Sequence, residues 1–142
     1  MAEAVKIPVV LDDGAILPKK AHPTDAGLDM RTPQDFDVVA GGAAFCDTGV
    51  HVAIPEGYVG LLLSTSGLNC KHGITSRGVI DCGYTGSIGV KLYNHSNKDY
   101  HFRAGDKISQ LVILPTPVVE TVVVSSLETT DRGDGGFGST GR

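Results

Sequence analysis

The chain has 142 residues, 19 of them glycine, with 41% hydrophobic residues and a formal charge of −4. That is enough for one domain with a real core, while the acidic balance argues against a general nucleic-acid binder and no apolar run reaches membrane length. The start, Met1-Ala-Glu-Ala-Val-Lys, lacks the charged-then-apolar order of a secretory signal, and the scattered Cys46, Cys70 and Cys82 predict reduced thiols in a cytoplasmic protein rather than a disulfide frame or zinc site.

Taken in chain order, a dense apolar run at 5–10 has the length of a strand. Residues 24–29 place Asp25 and Asp29 on either side of Gly27. They read as a turn leading into a strand, with carboxylates able to serve a hard cation such as Mg2+, directly or through water. Val50, Val52 and Ile54 share one face while His51 and Ala53 take the other, the period-two signature of a half-buried strand. Pro55-Glu56-Gly57 is a turn, followed by a second apolar run at 58–63. Ser64, Thr65, Ser66 and Gly67 then lead into a turn or two of helix near 66–71, which reads as a cap or as an anion nest.

Residues 78–86 read as a β-hairpin with Asp81 at its tip and Tyr84 closing the turn. Asp81 is a turn former or a general base; Tyr84 is a packing residue or a flat face for a sugar. Ile88, Val90 and Leu92 alternate around Gly89 and Lys91 as another half-buried strand. Ala104-Gly105-Asp106 turns into a strand at 108–114 that carries the polar Gln110. A last apolar run, 118–124, is either a central strand or a buried subunit interface. The five histidines, at 22, 51, 72, 95 and 101, are scattered and read as surface or satisfied core residues. The fold expected is all-β, a jelly-roll-like β-sandwich of many short strands. It occupies residues 1–131 and is followed by a flexible glycine-rich tail at 132–142.

That tail has five glycines among eleven residues, too flexible to hold a fold alone. It also carries Arg132, Phe137, Ser139 and Thr140. An arginine fork and two hydroxyls can grip a phosphate, a phenyl ring can stack on a base, and glycines such as Gly138 let the backbone approach an anion closely. A frayed terminus is the competing reading.

Each segment is a weak signal, but their order is specific. Asp25-Ala-Gly-Leu-Asp29, Ser66-Gly-Leu-Asn-Cys-Lys-His-Gly73, Gly78-Val-Ile-Asp-Cys-Gly-Tyr-Thr-Gly86, Gly105-Asp-Lys-Ile-Ser-Gln-Leu111 and Arg132-Gly-Asp-Gly-Gly-Phe-Gly-Ser-Thr-Gly141 together resemble the five motifs of the homotrimeric dUTPases. The match runs from about Pro23 to the C-terminus. It implies a jelly roll that assembles as a trimer, each site drawing on three chains, with a tail that closes over the site.

By the same resemblance, Asp29 would hold Mg2+ through water, and Thr65, Ser66 and Gly67 would cradle the phosphates. The backbone of Gly78, Val79 and Ile80 would read the uracil edge. Asp81 would activate water, Tyr84 would pack on the deoxyribose, and Gln110 would touch phosphate. Arg132, Ser139 and Thr140 would hold the γ-phosphate, with Phe137, beside Gly138, covering the base. Water would attack the α-phosphorus of dUTP, releasing dUMP and pyrophosphate, which keeps uracil out of DNA. Many relatives carry a basic residue where Thr65 stands, and Asp and Arg where Gly83 and Thr85 stand. The other classes that share the fold are regulatory binding proteins and dCTP deaminases. The first would need an added surface and the second an added acid–base set, and neither stands out in the chain.

Overall fold

The seam of the fold is one strand that serves two sheets. In a computed structural model describing residues 3–141, β6 (Ile74–Ile80) pairs through Ile74, Thr75 and Ser76 with Asn94, Tyr93 and Leu92 of β7 (Ser87–Asn94). From Arg77 onward β6 leaves β7, and Arg77–Ile80 pairs with Leu63–Gly60 of β5 (Tyr58–Leu63). Beyond β7 lie β4 (Ala43–Val52) and β1 (Val9–Leu11); beyond β5 lie β9 (Lys107–Pro115) and β2 (Gly27–Arg31). The order β1-β4-β7-β6-β5-β9-β2, antiparallel throughout, is one seven-stranded sheet curled on itself. A short ribbon of β3 (Phe36–Val38) and β8 (Tyr100–Phe102) packs against β4 and β7.

The inward faces of the two limbs meet inside the curl. Val50, Val52, Ile88, Val90 and Leu92 point inward from one limb, and Met30, Leu62, Ile108 and Leu111 from the other, all at most 3% exposed. Each such side chain contributes roughly 1.5–3 kcal/mol when fully withdrawn from water. Phe36 and Phe102 stack at 4.9 Å where the ribbon meets this core. The polar groups enclosed with them are satisfied: the Ser76 and Ser109 hydroxyls meet at 2.8 Å, Ser109 donates to the Leu63 carbonyl, and Asn94 Nδ2 donates to the Val38 carbonyl. No buried side-chain nitrogen or oxygen among the described residues lacks a partner.

The expected all-β jelly-roll architecture is the one observed. The run at 58–63 is β5, and the short helix is α1 (Ser66–His72), ended by Gly73 at φ +65° with Lys71 and His72 in its last turn, the favourable end for cations. Three readings change. The run at 5–10 contributes only its end to β1. Residues 78–86 are not a tight hairpin, because β6 and β7 part company before the tip and each takes another partner. The run at 118–124 is neither a central strand nor part of the core; it lies outside every strand, with Val118 90% and Val123 99% exposed.

Candidate functional site

A cleft of about 630 Å³ opens where β5 ends and α1 begins, and five of the predicted site residues line it: Asp29, Thr65, Ser66, Gly67 and Gln110. The local hydrogen bonds explain why they meet. The Ser64 hydroxyl and the Ser76 backbone exchange bonds of 3.1 and 2.9 Å, which anchors the exit of β5 to β6. Gln110 Nε2 donates to the Ser64 carbonyl at 3.0 Å, which ties the same turn to β9. Asp29 stands opposite Gln110 in the β2–β9 register. Thr65 is the N-cap of α1 in extended conformation, but its side chain makes no capping bond, so the first-turn amides of Ser66 and Gly67 are left for other acceptors. A Cβ added at Gly67 would meet nothing within 4 Å, so the space there is open.

Three cations, Arg31, Lys71 and Lys107, line the cleft against two carboxylates, Asp29 and Asp106. Lys107 Nζ lies 3.7 Å from Asp29 Oδ2, and Arg31 Nη1 donates to the Gly105 carbonyl at 2.8 Å. The balance suits a polyanion. Sequence reasoning gave no role to Lys71, Lys107 or Arg31, although Lys71 and Lys107 lie inside two of the motifs it singled out and Arg31 two residues beyond a third. Among the described residues no group of three or more His, Cys, Asp or Glu side chains could cage a metal ion. Asp29 and Asp106 are the carboxylates that line the cleft, and one or two carboxylates completed by water and phosphate oxygens are the donors that suit a Mg2+ ion, so the lining fits that ion without a protein cage.

The segment from Gly78 to Tyr84 lies elsewhere. Ser64 faces Ser76 at the cleft end of the β5–β6 pair, and the predicted segment runs away from it, from Gly78 two residues on to Asp81 five residues on, which puts Asp81 roughly 16 Å from the cleft at 3.3 Å per residue. The Ile80 side chain is buried, leaving only its backbone to a ligand, while Val79 is exposed. Gly83 has φ +91°, a conformation that favours glycine, and the Tyr84 amide donates to the Asp81 carbonyl at 3.1 Å. Tyr84 Oη donates to the Ser87 carbonyl at 2.9 Å, and the ring lies across Gly86. The Asp81 carboxylate is exposed and accepts no hydrogen bond from a described residue.

Behind this segment is a cluster the sequence did not suggest. His51 Nδ1 meets the Thr85 carbonyl at 2.8 Å, and Nε2 meets both Asp12 carboxylate oxygens at 3.1 Å. The Thr85 carbonyl and then Asp12 raise the His51 pKa above its ordinary value. The Ser87 hydroxyl and the Gly49 amide hold the Asp47 carboxyl below its ordinary value.

Of the predicted tail residues, none lines the cleft. Arg132 Nε donates to the Gly135 carbonyl at 2.7 Å, the Ser139 amide donates to the Gly136 carbonyl at 2.8 Å, and Phe137, Gly138 and Thr140 are exposed. Arg142 lies outside the described residues.

The family model for dUTPase matches residues 13–141. The deoxyuridine 5'-triphosphate nucleotidohydrolase of Cutibacterium acnes is 44% identical over 147 residues, covering 99% of this chain and 94% of that one. The dUTPase of Staphylococcus bacteriophage 80alpha with dUPNHPP superposes with a TM-score of 0.91 at 31% identity, covering 98% of this chain and all of the other. A mutant dUTPase from phage phi11 of S. aureus, whose structure concerns the coordination of a structural Mg(II) ion, superposes at 0.81 with 31% identity, covering 88% of this chain and all of the other. With the motifs, the curled sheet and the cation-lined cleft in agreement, the chain belongs to the dUTPase family.

Proposed function

We propose that this protein hydrolyses dUTP to dUMP and pyrophosphate. The observation that carries this reading is the gathering of Asp29, Ser66, Gly67 and Gln110, from three distant parts of the sequence, into one cation-lined cleft. The 16 Å estimated between that cleft and Asp81 then asks for a second copy of the chain. One protomer's cleft takes the phosphates while another's 78–84 segment takes the nucleoside, and a closed homotrimer satisfies this demand three times over. The exposed apolar run at 118–124 supplies surface for such an assembly.

In this site the first-turn amides at Ser66 and Gly67, with Thr65 beside them, receive phosphate oxygens, and Lys71 and Lys107 offset their charge. Mg2+, held by the triphosphate and by water on Asp29, would screen the phosphates and favour the leaving pyrophosphate. The β6 backbone at Gly78, Val79 and Ile80 presents hydrogen-bonding groups to the uracil edge, and Tyr84 offers the sugar a ring fixed by Ser87. Asp81 takes a proton from the water that attacks the α-phosphorus. The tail 132–142 acts as a lid: Arg132, Ser139 and Thr140 reach the terminal phosphate, while Phe137, with Gly138 giving slack, covers the base. The setting is the cytoplasm, where the exposed thiols of Cys70 and Cys82 stay reduced.

The test is pyrophosphate release from dUTP with dCTP, dTTP and UTP as controls, together with light scattering. Rapid turnover of dUTP alone by a particle of about three times the 14.8 kDa chain supports the proposal. Binding without turnover supports a regulatory protein, and ammonia release from dCTP supports a deaminase.

A further inference from the structure

The segment 81–86 bridges the gap where β6 and β7 separate, and it is held from behind. β4 pairs with β7 up to Asp47 and again at His51, with a register shift between. In that shift Gly49 takes φ +69°, and its amide donates to Asp47 Oδ1 and to Ser87 Oγ, both at 3.1 Å, while the Ser87 hydroxyl donates to Asp47. A Cβ added at Gly49 would lie 3.1 Å from Ala15 and 3.3 Å from Asp12, so the glycine lets the turn after β1 close onto β4. That closure puts the Asp12 carboxylate on one side of the His51 ring and the Thr85 carbonyl on the other.

Both partners are acceptors, and this fixes the state of the ring. A neutral imidazole has one N–H and one lone pair. With the proton on Nδ1, the bond to Thr85 survives and the Nε2 lone pair faces a carboxylate. With the proton on Nε2, the Asp12 bond survives and a lone pair faces the Thr85 carbonyl at 2.8 Å. Only the imidazolium satisfies both. The charged groups acting on the ring are Asp12, from the turn after β1, and Asp47, from β4; segment 81–86 contributes the uncharged carbonyl of Thr85.

We infer that His51 is a positioning residue: as an imidazolium clamped between Asp12 and the Thr85 carbonyl it fixes the segment carrying Asp81 and Tyr84, and the clamp opens when the ring loses its proton. The raised pKa agrees with this geometry. A group whose folded pKa is raised contributes fully below its unfolded value, about 6.5 for histidine, and the contribution is lost as pH rises through the folded value. The clamp is therefore closed below about 6.5 and opens as pH rises through the raised value of the folded ring. The kinetic consequence rests on the reading of Asp81 and Tyr84 as water-activating and sugar-facing residues; the clamp itself does not.

Two measurements on the full chain test it separately. The first is an NMR titration without nucleotide, following the His51 ring and the amides of residues 82–86. The ring should titrate above its ordinary value, the Thr85 and Gly86 amides should follow the same curve, and Asp12→Asn should move both to lower pH. The second is kcat/KM for dUTP against pH. The wild type should lose activity several-fold along an alkaline limb with the same midpoint. That limb should move to lower pH in Asp12→Asn and vanish in His51→Gln, whose amide does not titrate. If His51→Gln does not fold, Asp12→Asn carries both measurements. A ring that titrates at or below about 6.5, or amides that ignore its titration, overturns the clamp. Coupled amides with a pH profile unmoved in Asp12→Asn overturn the positioning role. Clamp titration in a protein that does not hydrolyse dUTP counts against the proposed activity and leaves the clamp standing.

Discussion

Gln110 reaches from the middle of β9 to the Ser64 carbonyl, 3.0 Å away, with its amide packed over Gly27. One side chain thereby joins the turn into α1, strand β9 and the start of β2, the three pieces of backbone that frame the cleft. A Cβ added at Gly27 would fall 2.5 Å from Gln110 Oε1, so the glycine is there to admit the amide. Gln110→Ala removes this tie and leaves the Ser64 carbonyl without it. The expected outcome is a loss of about 1 kcal/mol in unfolding free energy and a raised KM for dUTP. Denaturant unfolding and steady-state kinetics check both; an unchanged KM confines Gln110 to a structural role.

Gly86 is predicted to set the sugar face through Tyr84. A Cβ at this position would lie 2.5 Å from Tyr84 Oη and 2.7 Å from Cζ, so Gly86→Ala must swing the ring away and break its bond to the Ser87 carbonyl. A misplaced ring no longer excludes a 2′-hydroxyl. Steric discrimination of one small group is worth roughly 1–3 kcal/mol, so the ratio of kcat/KM for dUTP over UTP should narrow by about tenfold or more in Gly86→Ala, and likewise in Tyr84→Ala. Equal loss for both substrates would leave Tyr84 as packing only.

Much of this was legible because the period of two is local. Ile88, Val90 and Leu92 declare a buried face whatever they pack against, and the same holds for Val50, Val52 and Ile54. The ribbon was not legible: β3 and β8 are three residues each, too short to alternate, and Phe36 meets Phe102 only across 66 positions of chain. Residues 118–124 left a strand and an interface open for the converse reason, and only the strand is excluded. Apolar density reports a need for burial, not where the partner is, and in a single chain this run has none. At the site, Asp29, Ser66 and Gln110 stand in contiguous motifs and could be read one by one. The bond from His51 to Asp12 spans 39 residues and the one to Thr85 spans 34, so no window of sequence holds them together.

If the cleft and the 78–84 segment of one site belong to different protomers, two inactive variants should repair each other. Asp81→Asn keeps shape and removes the base, which typically costs a hundredfold to ten-thousandfold. Ser66→Asp sets a carboxylate against the phosphates in the cleft. Each alone should fold, since both positions are exposed, and each should be nearly inert. Unfolded and refolded together in equal amounts, they form mixed assemblies in which roughly a quarter of random junctions join an intact Asp81 to an intact Ser66. Recovered dUTP hydrolysis near that fraction is the expected result. No recovery, from assemblies shown by mass to be mixed, would place both groups in one chain's site.

The tail supplies the last prediction. From Arg132 to Gly141 its hydrogen bonds are turns within itself and one from the Gly133 amide to Thr130, and Phe137 packs on nothing. The core closes without it, because the last strand ends at Pro115. Deleting residues 132–142 should therefore leave the melting temperature near that of the full chain. Activity should behave otherwise. Ordering the tail costs roughly 1–2 kcal/mol of backbone entropy per residue, which only contacts with a bound nucleotide can offset: the Arg132 fork and the Ser139 and Thr140 hydroxyls on phosphate, and the Phe137 ring on the base. Without these the site stays open to water and kcat should drop sharply. Hydrogen exchange of the full-length protein adds a readout independent of turnover. Amides 133–141 should exchange freely in the empty protein and slowly with a non-hydrolysable dUTP analogue and Mg2+. A truncated protein of full activity, or a tail that exchanges freely with the analogue bound, would return these residues to a frayed end.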